Sequence, residues 1–188
     1  MMRIMKRIIS ATLPLIIIIT VSHDLLAQTD HQFDLSVISG TSDTNDPVYL
    51  FNKTGYEILE SGSIKPVDSI LLYRFIDSIL TTNPVNRKFY LSIFNQIQKE
   101  AYGEIQVYMG WNMLTFARRY PDDFFSMSDA EIDYYARVIG LEFATEEEFP
   151  YEAADKFIDD MAVFTDKKYS GRLKDFERKI HAEIKKQF

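Results

Sequence analysis

The sequence contains no cysteine. Disulfides, thiol nucleophiles and thiolate metal sites are excluded together. Histidine is almost as scarce: of the three present, only His31 and His181 lie beyond the first 27 residues. Two imidazoles do not make a histidine-rich metal centre, so neither a metal nor a cofactor is expected. The chain also lacks a G-x-S-x-G elbow, a phosphate-binding G-x-x-x-x-G-K-[ST] loop, a G-x-G-x-x-G turn and an H-E-x-x-H pair, so no signature names a reaction. Tryptophan occurs once, as Trp111.

A long apolar run is missing too. The uncharged stretch Ile8–Val21 is 14 residues, and as a helix it spans only ~21 Å of a ~30 Å bilayer core. Arg3, Lys6 and Arg7 precede it, and small residues close it at Ser22 and Ala27. Basic start, short apolar centre and small end describe a secretory signal peptide. Residues 1–27 are expected to be removed, with cleavage after Ala27 exposing Gln28, or alternatively after Ser22. The product would be periplasmic or extracellular, without a stable membrane anchor. The absence of cysteine favours bacterial export.

Loss of Arg3, Lys6, Arg7 and Asp24 with the leader moves the formal net charge from −7 to −9. A polyanion is a poor ligand for that field, which disfavours nucleic acid and anionic membrane surfaces. Aromatic residues make up 14% of the chain, which argues against disorder and for one domain with a real core.

Three segments are expected: the leader 1–27, a polar N-terminal segment 28–65, and a helical domain 66–188. In the second, Phe33, Leu35 and Val37 alternate with Asp34 and Ser36 as in a short strand. "VYLF" and "YEIL" flank Asn52-Lys53-Thr54-Gly55 as in a hairpin, although Asp46-Pro47 also suits a helix start. The Asn52 sequon would matter only in a glycosylating compartment. Asp68-Ser69-Ile70 and Asp77-Ser78-Ile79 resemble a short O-glycosylation acceptor, but Asp68 also suits a helix cap.

From Pro66 onward the pattern is helical. Leu72, Phe75, Ile76, Ile79 and Leu80 share one face. Pro84 opens the longest stretch, with Tyr90, Phe94, Ile97, Ala101, Ile105 and Tyr108 spaced by threes and fours. "SDAE" at Ser128–Glu131 is a capping box ahead of Ile132, Tyr135, Ala136, Ile139 and Phe143. Pro150 begins a helix carrying Ala154, Phe157, Ile158 and Met161. Ser170 can cap a last helix with Leu173, Phe176, Ile180 and Ile184 inward. About five amphipathic helices in one bundle-like or orthogonal domain make a mostly α fold.

The acidic runs Asp122-Asp123, Glu146-Glu147-Glu148 and Asp159-Asp160 point in different directions and read as solvated charge. The long helical stretch is more specific. If it is continuous, its inward face changes from aliphatic to polar-aromatic through Glu104, Tyr108, Trp111, Asn112, Thr115 and Arg119. Such a mixture could line a ligand cleft. If the chain breaks at Gly103 or Gly110, the phase resets. Met109, Met113, Phe116 and Tyr120 then become buried, and Asn112, Thr115 and Arg119 turn outward.

Two functions are compatible with this pattern. One is an exported helical domain that binds a protein or envelope component through aromatic and arginine side chains, with Trp111, Arg118, Arg119 and Tyr120 as contact types. The other is a glycan-type hydrolase using Glu104 with a second acid, for which Asp133, Asp159 and Asp160 are candidates.

Overall fold

The structure, a computed structural model, describes residues 33–65, 67–146 and 148–188. The expected leader and its cleavage sites lie outside the described residues. Asp34–Phe188 make one compact unit. Its helices are α1 (Leu35–Ser39), α2 (Pro47–Ser61), α3 (Ser69–Ser78), α4 (Pro84–Glu100), α5 (Glu104–Arg119), α6 (Pro121–Phe125), α7 (Asp129–Glu146), α8 (Pro150–Ala162) and α9 (Ser170–Lys185). A 3₁₀ turn, Lys167–Tyr169, precedes α9, and the described residues contain no strand. The mostly α class expected from the hydrophobic pattern is correct.

The strand and the hairpin are replaced by helices. Asp34 caps α1 by accepting from the Ser36 and Val37 amides, and Gly40 ends it at φ 69°. Alternation over five residues cannot separate a strand from a single turn and a half of helix. Asp46 caps α2 through the Val48 and Tyr49 amides at 2.7 and 3.3 Å, with Pro47 in the first helical position. Gly55 is therefore no turn residue. A Cβ there would lie 2.5 Å from Ile93 Cδ1 and 2.9 Å from Phe75 Cε1, so the glycine permits close packing of α2 on α3 and α4. Asn52 is fully buried, donating to Ser39 Oγ at 3.0 Å and accepting from the Tyr90 hydroxyl at 2.7 Å. It ties α1, α2 and α4 together, which removes it as a glycan acceptor.

The remaining stripes pack as their spacing predicts. Leu72, Phe75, Ile76 and Ile79 are buried, as are Ile132, Tyr135, Ala136, Ile139 and Phe143. Glu131 closes its capping box, accepting from the Ser128 amide at 2.9 Å while its own amide donates to Ser128 Oγ at 3.3 Å. Its other carboxylate oxygen accepts from Asn95 at 2.6 Å, joining the start of α7 to α4. At α9 the cap differs from expectation. Ser170 is already helical, and Asp166 caps the preceding 3₁₀ turn through the Lys168 amide.

Helices α2, α3 and α4 pack together near the N-terminus of the unit, and α7, α8 and α9 near its C-terminus. Helix α5 touches α3 on one side and α7 and α8 on the other. The most extensive helix pairing is α7 on α9. A Cβ on Gly140 would come within 2.9 Å of the Ile180 carbonyl and 2.7 Å of Glu183 Cβ. Gly140→Ala should therefore destabilise by ~1–2 kcal/mol, because overpacking outweighs the gain in helix propensity. Gly110→Ala meets nothing within 4 Å and should stabilise by up to ~1 kcal/mol. Urea titrations of both variants check the opposite signs.

Tyr135 sits between these layers, its hydroxyl 2.9 Å from Asn95 Oδ1 and 2.8 Å from Gln98 Oε1. Burial, more than the nearby Tyr134 and Glu131, pushes it well above the ordinary tyrosine value. Above pH ~10 the unfolded chain then binds fewer protons than the native one, so stability falls as pH rises. Lys179, raised chiefly by its bonds to Asp133 and Asp175, acts in the same direction. Denaturation midpoints measured from pH 9 to 11 should decline, and less steeply in Tyr135→Phe.

Candidate interaction surface on α5

The long helical stretch breaks at its first glycine. Helix α4 ends at Glu100, Ala101 is extended, and Gly103 adopts φ 60°, ψ −131°. A side chain disfavours that positive φ. Glu104 then opens α5, where its charge suits the helix start. The new helix runs unbroken through Gly110 to Arg119.

The break resets the phase and overturns the inward cleft. Met109, Met113, Leu114, Phe116 and Ala117 face the core. Glu104, Tyr108, Trp111, Thr115 and Arg119 are all exposed, and the helical period places them on one outer strip. Asn112 departs from both sequence readings of its side. It is neither a cleft residue nor solvent-facing but buried, and its Nδ2 donates to the Tyr108 carbonyl at 3.2 Å.

Neighbouring helices brace the strip at its edges. The Tyr108 hydroxyl donates to Asp77 on α3 at 2.6 Å, and the ring meets Tyr73 edge-on at 4.9 Å. The Asp77 bond is the main reason the Tyr108 phenol lies above its ordinary value. Toward the other end, Arg118 reaches α8, 3.7 Å from Asp160 and 5.0 Å from the Phe157 ring. Beside Tyr108 on this strip, Trp111 is 56% exposed and Val107 61% exposed. Single exposed apolar side chains are ordinary, but three on adjacent turns of one helix form a patch. Val107 and Tyr73 were missed by sequence reasoning. Restarting the period at Gly103 would have found Val107; Tyr73 joins only through the tertiary packing of α3.

The acids do not converge around Glu104. Asp160 is held at Arg118, fourteen residues along α5, or ~21 Å by helical rise. Paired glycosidase carboxyls lie ~5–9.5 Å apart. Asp159 adjoins Asp160 in α8, while Asp133 is bridged by Lys179, which also holds Asp175. His181 Nε2 lies 2.8 Å from Asp155 and its ring meets Tyr151 edge-on, so it serves the contact of α9 with α8. No group of three metal-binding side chains occurs among the described residues. A crevice lined by Arg87, Lys88, Leu91, Phe116, Asp123 and Ser126 encloses ≈ 200 Å³ including open solvent, less than the ~300–1,000 Å³ of ligand pockets. Nor is any described helix long and apolar enough to cross a membrane.

The fold and this surface define a helical domain with a braced, solvent-facing aromatic strip. Comparisons with known protein families, with characterised proteins and with solved structures find no match for the chain.

Proposed function

We propose that this is an exported helical interaction domain that binds a protein or other envelope component through the outer strip of α5. The observation that carries the reading is the exposure of the chain's one tryptophan beside Val107 and Tyr108. Tryptophan, tyrosine and arginine dominate the energetics of protein contacts, and all three occur here within twelve residues of one helix. Export rests on the basic and apolar leader, and the acidic mature chain argues against a nucleic-acid role.

A photo-crosslinking residue at Thr115 tests the surface in living cells. A discrete adduct is expected from this position, absent from the same residue at exposed Lys174 on α9 and lost in Trp111→Ala. Equal labelling from both positions, or none from either, would sink the reading. N-terminal sequencing of the envelope fraction should begin at Gln28 or His23. A chain that keeps residues 1–27 would remove the export step.

A further inference from the structure

The outer strip of α5 carries opposite charges at its two ends. Glu104 lies in the first turn and Arg119 in the last, ~22 Å apart along the axis. Neither forms an ion pair among the described residues, although Arg119 lies 5.4 Å from the Tyr120 ring centroid. Between them stand Val107, Tyr108, Trp111 and Thr115. Such an order, acid then aromatics then base, is complementary to itself when a second copy runs antiparallel.

We propose that two copies of the chain associate through α5 about a two-fold axis at the level of Trp111. That axis relates position 104 to 119 and position 108 to 115. Each Glu104 then meets the partner's Arg119, and each Tyr108 ring lies over the small side chain of the partner's Thr115. The two indoles meet near the axis with a stagger of about one residue rise. An isologous contact needs the same patch to supply both halves of every pair, and this strip does. The inference rests on reading the strip as an interaction surface, and it names a second copy of this chain as the partner. Three exposed apolar side chains make a small contact, below the ~1,200 Å² of standard stable interfaces. Association through so small a contact is weak and dependent on concentration.

Trp111 reports the contact without interference, because no other tryptophan exists in the chain. Sedimentation and Trp111 emission of the protein recovered from expressing cells should show dimer formation with a shift to shorter wavelength. Glu104→Lys and Arg119→Glu each place like charges at both ends of the pair, and each should weaken self-association about ten-fold or more. Mixing these two single variants should restore the dimer, as should combining both changes in one chain. That double variant should not pair with the unaltered chain. A monomer at every concentration up to about 500 μM overturns the proposal, and so does a dimer that the single changes leave intact. A monomer that still gives a position-specific adduct at Thr115 with another molecule refutes self-association and leaves the interaction reading standing. Loss of both removes the surface altogether.

Discussion

Phe176→Ala should cost ~3–5 kcal/mol of stability, a large share of the ~5–15 kcal/mol typical of a domain. Phe176 is fully buried on α9, where α6 and α8 converge. Its ring lies 5.0 Å from Phe124 and 5.9 Å from Phe125, both in edge-to-face geometry, and 6.4 Å from Phe157. Truncation removes the ring's transfer energy and leaves a void whose walls are other fully buried rings. Those rings belong to two other helices, α6 and α8, so the void cannot close without moving a helix. For a unit of this size the melting temperature should fall by ~10–15 °C. Phe176→Leu keeps most of the volume and should lose ~1–2 kcal/mol. Phe164→Ala is the control, because this ring is 68% exposed after α8 and its loss should change stability by no more than ~0.5 kcal/mol. Equal losses at 164 and 176 would mean that the aromatic cluster does not hold the three helices together. With no cysteine in the chain, thiol chemistry does not complicate the melts.

Phe176 was legible in the sequence because α9 is long and its apolar residues keep one period. The same holds for α3, α7 and α8, where nearly three turns or more separate a helical period from alternation. Legibility failed where the signal was short or a glycine was ambiguous. Five residues around Leu35 satisfy either period, and Asp46-Pro47 was the better evidence for the helix start that α2 adopts. Gly55 and Gly103 look alike in the sequence but differ in role: the first lets helices approach, and the second turns the chain at positive φ. Only tertiary packing distinguishes them. That distinction also placed the candidate surface. Glu104, Tyr108, Trp111, Thr115 and Arg119 share one face of α5, and that face points outward because Gly103 interrupts the count. Asn112, one position from Trp111, fell on the buried side for the same reason.

Arg87→Met should destabilise by ~2–4 kcal/mol, although the change keeps an unbranched apolar stem. Arg87 on α4 makes contacts that bind three separate parts of the chain. Its Nε lies 2.6 Å from Asp123 Oδ2 on α6, with the two side chains only 12% and 27% exposed. Its Nη1 donates to the Thr81 and Thr82 carbonyls at 3.2 and 2.7 Å, satisfying backbone acceptors just beyond α3. The guanidinium also lies 3.9 Å from the centroid of Tyr120, whose hydroxyl donates to the Leu80 carbonyl at 3.1 Å. Methionine leaves a half-buried carboxylate and two carbonyls without their donor, which is the costly way to break a pair. The partial exposure of Asp123 admits water and keeps the loss below that of a fully buried pair. Arg87→Lys retains the charge but cannot stack as a plane while donating in two directions, so it should recover less than half of the loss. Asp123→Asn in the Arg87→Met background should cost less than it does alone, with a coupling of ~1–2 kcal/mol in a double-mutant cycle. Amide exchange locates the effect, since α6 and the Thr81–Asn83 connection should open before α7 and α9. If the four cycle members prove additive, the ion pair is incidental and the stacking on Tyr120 alone makes Arg87 a structural centre.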